Sequence, residues 1–161
     1  MSDATELRKQ LWKKMEDGPF VMIGLQGRGH SEPLTVQLDK DQVDRLYFFI
    51  GKDNRMAPGG RAMAQFVSKG QDFFACISGT ARVDNDRAMI DKLWSNQVEA
   101  WFPGGKTDPN LALLRFDIDD AELWETDLSL TGMAKMILGT RIKPSEAGSH
   151  ARVETTAVGA D

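Results

Sequence analysis

Residues 34–50 read Leu34-Thr35-Val36-Gln37-Leu38-Asp39-Lys40-Asp41-Gln42-Val43-Asp44-Arg45-Leu46-Tyr47-Phe48-Phe49-Ile50. In the first part, Leu34, Val36 and Leu38 alternate with Thr35 and Gln37, the pattern of a half-buried strand. In the last part, five consecutive residues are apolar or aromatic, so that strand is expected to have both faces covered. Asp39-Lys40-Asp41 supplies the charge and turn residues between them. So short a connection leaves no room for a crossover helix, and the two strands read as a meander rather than a βαβ unit.

The flanking sequence extends this pattern. Asp3 and Glu6 form a capping box for a helix over 3–17, with Leu7, Leu11, Trp12 and Met15 at helical spacing. Gly18-Pro19 stops it. Residues 20–25 make a short strand that breaks at the turn Gly27-Arg28-Gly29. After a loop over 51–60, Ala62, Met63, Phe66 and Val67 read as the apolar positions of a short helix ended by Lys69-Gly70. Residues 73–77 and 79–83 form a strand pair or one long strand bent at Gly79. Asp84-Asn85-Asp86 caps a helix carrying Met89, Ile90, Leu93 and Trp94. Residues 102–109 are rich in chain breakers, 111–118 and 121–124 read as strands, and 128–138 as a short amphipathic helix. The polar tail from Arg141 is expected to be extended or mobile. The sum is mainly β: about six antiparallel strands forming a barrel, with peripheral helices.

Composition narrows the function. The 161 residues fit a single domain over 1–161, with one cysteine, Cys76, and a net charge of −4. One cysteine excludes an internal disulfide framework and suits a cytoplasmic setting. No apolar run approaches the roughly 20 residues of a membrane span, and the acidic N-terminus lacks the features of a secretory signal. The negative charge argues against nucleic acid as a partner. It leaves a small anionic ligand open, since a phosphate needs only a few local cations.

Several motifs fail on inspection. Gly104-Gly105-Lys106-Thr107 lacks the first P-loop glycine, whose place is taken by Ala100, and Asp108-Pro109 follows where a helix should. His30-Ser31-Glu32 lacks the cysteine pair of a zinc deaminase. With only two histidines, His30 and His150, a histidine-rich metal site is excluded, and no Gly-x-Ser-x-Gly elbow occurs. Asp84-Asn85-Asp86 is a helix cap rather than a calcium loop. The loop with Lys52, Arg55, Gly59, Gly60 and Arg61 is different. Cations, glycines and the expected helix N-terminus together have the chemistry of a phosphate site, with a solvated basic loop as the alternative. Trp94, Trp101 and Phe102 could wall a ring-shaped ligand, fill a core or line an interface.

The order of segments resembles the general stress protein 26 family, of the pyridoxamine 5′-phosphate oxidase-like, FMN-binding split-barrel superfamily. The resemblance is carried by Glu32-Pro33-Leu34, Leu46-Tyr47-Phe48-Phe49-Ile50, Ser78-Gly79-Thr80-Ala81-Arg82-Val83, Asp86-Arg87 with Leu93-Trp94, and Asp108-Pro109 with 111–115. Its most specific part is Ala100-Trp101-Phe102-Pro103-Gly104-Gly105-Lys106, and 147–153 resembles the family's tail, so about 7–154 is covered. The resemblance implies a six-stranded antiparallel Greek-key split β-barrel, assembled as a homodimer with FMN at the interface. It implies Pro33, Leu34 and Thr35 on one edge of the isoalloxazine and Phe49, Ile50 and Gly51 on the other. The cations after the third strand, Lys52, Arg55 and Arg61, are the candidates for holding the phosphate. Arg61 is the best match to the family's phosphate-binding lysine, because the spacing from Arg61 through Ala62 and Phe66 to Phe73 follows the family's helix and next strand; Arg55 competes if the loop is aligned from the preceding strand. Trp101 and Phe102 would close the site from the partner chain. The family often has Arg-Pro-Met where this chain has Glu32-Pro33-Leu34, which places a carboxylate near the expected phosphate.

The resemblance implies a flavin-dependent oxidoreductase whose cofactor carries the redox chemistry. The alternatives are a non-catalytic protein binding FMN, FAD, heme or a deazaflavin, or a dimeric scaffold with a decayed site and no cofactor. Pyridoxamine-phosphate oxidase activity itself is not expected, because the Arg-and-His-bearing C-terminal segment of that enzyme has no counterpart here.

Overall fold

The computed structural model describes residues 4–126 and 148–154. The expected capping residue Asp3 and the expected helix over 128–138 lie outside the described residues. Helix α1 (Ala4–Asp17) is followed by strands β1 (Phe20–Leu25), β2 (Glu32–Thr35), β3 (Arg45–Gly51), β4 (Gly60–Val67) and β5 (Phe73–Val83). Two short helices come next, α2 (Arg87–Leu93) and α3 (Asn96–Trp101), then β6 (Leu111–Thr126) and β7 (Gly148–Glu154). Among the described residues no helix is long and apolar enough to cross a membrane.

The sheet runs β2-β1-β4-β5-β6-β3, and every pairing is antiparallel. An isolated bridge, Gln37↔Tyr47, joins the two ends and nearly closes the six strands into a barrel. This is the expected split barrel. A seventh strand is added by the tail: β7 pairs with the second half of β6, Asp120–Thr126, beyond the first half that β3 covers. The change of partner coincides with a bulge. Ser78 pairs with Asp120 but Gly79 with Ile118, so Asp119 is the extra residue, and β5 bends there as Gly79 foretold.

One sequence expectation is overturned. Residues 60–67 form strand β4, not a helix: Ala62, Ala64 and Phe66 are buried and alternate with exposed Arg61, Met63, Gln65 and Val67. The period is 2. The apolar residues taken as one helical stripe lie on both faces of the strand. Residues 111–118 and 121–124 likewise merge into one strand of 16 residues.

The core has two parts. Inside the barrel, Phe48, Phe66, Phe73, Phe116, Ile23 and Ile77 are packed out of solvent, and α1 plugs one end with Leu7 and Met15. Outside it, α2 and α3 cover β3 and β6 through Tyr47, Ile90, Val98, Phe102, Leu111 and Leu113. Strand β3 therefore has both faces covered, as its unbroken apolar run predicts: Leu46, Phe48 and Ile50 face the barrel, and Tyr47 and Phe49 the outer cluster. The Asp86 side chain caps α2 through the Ala88 amide, and Ser95 caps α3 through that of Val98.

Candidate functional site

The barrel opens between β2 and β3. At the bridge, the Gln37 amide donates to the Tyr47 carbonyl at 2.7 Å, and the Tyr47 amide to the Gln37 carbonyl at 3.2 Å. Val36, one residue back, turns its amide the other way, to the Pro19 carbonyl. Backbone groups alternate in direction along a strand. Those of Pro33 and Thr35 therefore face β3, and those of Phe49 and Gly51 face β2. Continued past the bridge, the register sets Thr35 opposite Phe49 and Pro33 opposite Gly51, yet among the described residues no ladder forms there. Pro33 gives part of the reason, for it has no N–H to donate across the gap. The result is a gap in the ladder between the strand edges 33–35 and 49–51, the segments the sequence singles out, and this gap is the candidate cleft.

The side chains divide these residues further. Leu34 and Glu32 lie opposite Val21 and Ile23, both barrel residues, so they share the inward face of β2. Pro33 and Thr35 are exposed on the outer face. Ile50 is buried in the barrel, and its backbone groups, out of phase with those of Phe49 and Gly51, face Ala112 of β6 rather than β2. Phe49 meets Trp94, the C-cap residue of α2, edge to face, with centroids 5.6 Å apart at 85°. Trp94 thus braces the β3 wall from outside.

The candidate cations separate. Arg55, in the loop after β3, reaches the start of β2: its Nη1 donates to the His30 carbonyl at 3.2 Å, and its Nε lies 3.5 Å from Glu32 Oε2. Glu32 Oε1 is buried and, among the described residues, accepts no hydrogen bond. Such an acceptor costs about 1–3 kcal/mol until a donor reaches it. Arg61 lies instead on β4, ion-paired with Asp119 and 3.5 Å from Thr80 Oγ1. With no helix after the loop, the helix N-terminus expected for a phosphate is absent there, and so is the alignment that favoured Arg61. The amide of Lys52 is held by the Asn110 carbonyl, while its side chain is exposed.

The aromatic pair also divides. Phe102 packs within its own chain against the outer cluster, whereas Trp101, at the end of α3, is 81% exposed. A latch that sequence reading missed holds the β2–β3 connection. Lys92 Nζ of α2 lies 2.8 Å from both Asp39 Oδ1 and Asp41 Oδ2, and the Asp39 side chain is almost wholly buried. Burial pushes the Asp39 carboxyl up, but the Lys92 hydrogen bond and the Asp41 amide outweigh it and hold the group below the usual carboxylate range. Asp39, Asp41 and Lys92 are ordinary charged residues in sequence, and only the fold brings them together.

Comparison with known proteins places this architecture. Residues 6–145 match the family model described as pyridoxamine 5′-phosphate oxidase like. A stretch of 52 residues, 32% of this chain, is 38% identical to general stress protein 26 of Bacillus subtilis (strain 168), and the match spans 36% of that protein's length. A solved structure of a general stress family protein from Xanthomonas campestris pv. campestris is 44% identical over 81% of this chain and 94% of its own, with a TM-score of 0.75. Another, a general stress FMN/FAD binding protein from Xanthomonas citri, is 46% identical over 79% and 94%, with a TM-score of 0.74. The chain belongs to the pyridoxamine 5′-phosphate oxidase-like family of split barrels.

Proposed function

We propose that this protein binds a flavin, FMN foremost, in the cleft between β2 and β3, and acts as a flavin-dependent oxidoreductase. The observation that carries the reading is the opening of the barrel itself: two strand edges, 33–35 and 49–51, confront each other without a ladder. The Thr35 and Phe49 edges offer alternating donors and acceptors to the polar rim of an isoalloxazine. The buried, unsatisfied Glu32 Oε1 is a second sign of fit, because it calls for a donor such as a ribityl hydroxyl. Arg55, which reaches the start of β2, and Lys52, earlier in the same loop, are the cations that would hold a terminal phosphate. The Xanthomonas citri relative, described as FMN/FAD binding, supports the same ligand. A bound flavin would supply one- or two-electron redox chemistry, while these residues bind it, orient it and limit water.

The working unit in this reading is a homodimer in the cytoplasm. Phe20, Met22, Met63 and Val67 stand exposed together on the outer faces of the adjacent strands β1 and β4. This largely apolar surface, interrupted by Gln65 opposite Met22, fits a second copy of the chain. Trp101, exposed on α3, is available to approach the partner's cleft.

Titration of the purified protein with FMN, followed by quenching of flavin fluorescence, tests the reading. Saturation at one flavin per protomer, with reduction of the bound flavin by NADH or NADPH, supports it; absence of binding refutes it. Binding without reduction by any donor leaves the second reading, a flavin-binding protein without turnover.

A further inference from the structure

We propose that Glu32 sets the ligand preference of the cleft: by neutralising Arg55 it makes the site read a flavin through its ring and hydroxyls, and only weakly through its terminal phosphate. The inference rests on the flavin reading above and concerns how that site discriminates among flavins. Three observations carry it. Glu32 Oε2 lies 3.5 Å from Arg55 Nε, and Glu32 is the less exposed partner, its side chain 21% exposed against 51% for Arg55. Arg55 is further committed to the His30 carbonyl through Nη1. Glu32 Oε1, on the inward face of β2, is out of solvent and accepts nothing from the described residues.

A dianionic phosphate approaching Arg55 meets an ion pair rather than a free cation, and the carboxylate beside it repels the incoming charge. Both effects weaken discrimination between FMN and riboflavin. The same carboxylate is an acceptor with spare capacity, and acceptors favour hydroxyl and N–H groups, which every flavin carries. Lys52 and Asp53, adjacent at the start of the same loop, carry opposite charges and add no net positive charge to it. The cleft is thus built to hold the flavin core with or without its phosphate.

The test measures dissociation constants for FMN and riboflavin by fluorescence quenching in the wild-type protein, Glu32→Gln, Arg55→Met and the double variant. Glutamine keeps the shape of the side chain and removes its charge. Wild type should prefer FMN over riboflavin by less than about tenfold, because the paired guanidinium adds little. Glu32→Gln should raise that preference at least tenfold, and Arg55→Met should cancel the gain in the double variant. A wild-type preference above a hundredfold, or an unchanged ratio in a Glu32→Gln protein that still binds flavin, overturns the inference and leaves the flavin reading standing. Failure of every variant to bind any flavin overturns both.

Discussion

The bulge opposite Gly79 offers a sharp test of the fold. A methyl group built on Gly79 would lie 2.1 Å from the Asp117 carbonyl oxygen and 2.9 Å from Phe116 Cζ. Carbon and carbonyl oxygen approach no closer than roughly 3.3 Å, so Gly79→Ala must part β5 from β6 by about 1 Å. Phe116, fully buried in the barrel, cannot swing away to make room. Parting the strands there breaks one or two ladder bonds away from water, each worth about 1–3 kcal/mol when its groups are left unsatisfied. The expected loss is about 2–5 kcal/mol, against a total stability on the order of 5–15 kcal/mol. For a domain of this size that lowers Tm by roughly 5–20 °C. Urea unfolding followed by tryptophan fluorescence gives the measurement, with Gly18→Ala as control. A methyl at Gly18 meets nothing nearer than 3.5 Å, and that variant should stay within about 0.5 kcal/mol of wild type or gain slightly. A Gly79→Ala protein as stable as wild type, or an equal loss in Gly18→Ala, would refute the close approach of the two strands.

Other substitutions probe other links. Ser68 Oγ donates to Asp72 Oδ1 at 2.7 Å and accepts from the amides of Asp72 and Phe73; Ser68→Ala should cost about 1–3 kcal/mol in the same urea assay. Stability should depend on pH at both ends. Asp72 is held below the usual carboxylate range by hydrogen bonds from Lys14 and Ser68, so its contribution is present above about pH 4 and lost as pH falls further. Lys92 is pushed up to about 12 by its hydrogen bonds to Asp39 and Asp41; its contribution holds below roughly pH 10 and fades as pH rises toward that value. Lys92→Met should therefore flatten part of the alkaline decline in the urea midpoint, and an unaltered alkaline limb counts against the latch. Burial, with Glu122 and Asp120 nearby, pushes the Cys76 thiol up. Iodoacetamide at neutral pH should modify it at least about tenfold more slowly in the native protein than in urea; equal rates would contradict that environment.

The parts of the fold legible in the sequence were those where one local signal dominated. The apolar run 46–50 announced a strand covered on both faces, Gly79 a bend, and Asp86 a helix cap, and each depends on residues close in sequence. Strand β4 was misread because Ala62, Met63, Ala64 and Gln65 are good helix formers, and because exposed Met63 and Val67 hid the alternation. Those two residues break the inside–outside rule on the face assigned above to a second copy of the chain. Helix α3 went unread because six residues carry too little periodicity to register. At the site, the segments 33–35 and 49–51 came from family resemblance, but their opposition across the cleft follows from a single bridge between distant residues, Gln37 and Tyr47. The encounter of Arg55 with Glu32, 23 positions earlier, is likewise a product of the chain's return path.

Pro33 links the fold to the site. A barrel of this kind could finish closing by extending the ladder from Gln37↔Tyr47 through Thr35 and Phe49 to Pro33 and Gly51. The alternation of backbone groups turns the Pro33 nitrogen toward β3, where a donor would be needed and proline has none. Gly51 adds to the effect, because its carbonyl is already engaged by the Asn54 amide in the following turn. Both ends of the final rung are therefore compromised, one by residue type and the other by a local turn. Strand edges left open in this way invite association unless something covers them. A flat, hydrogen-bonding ligand in the cleft satisfies that requirement without closing the barrel. Two short local features thus block the last rung, Pro33 with Gly51, and the edges of β2 and β3 beside it keep unpaired backbone groups that the proposed ligand would use.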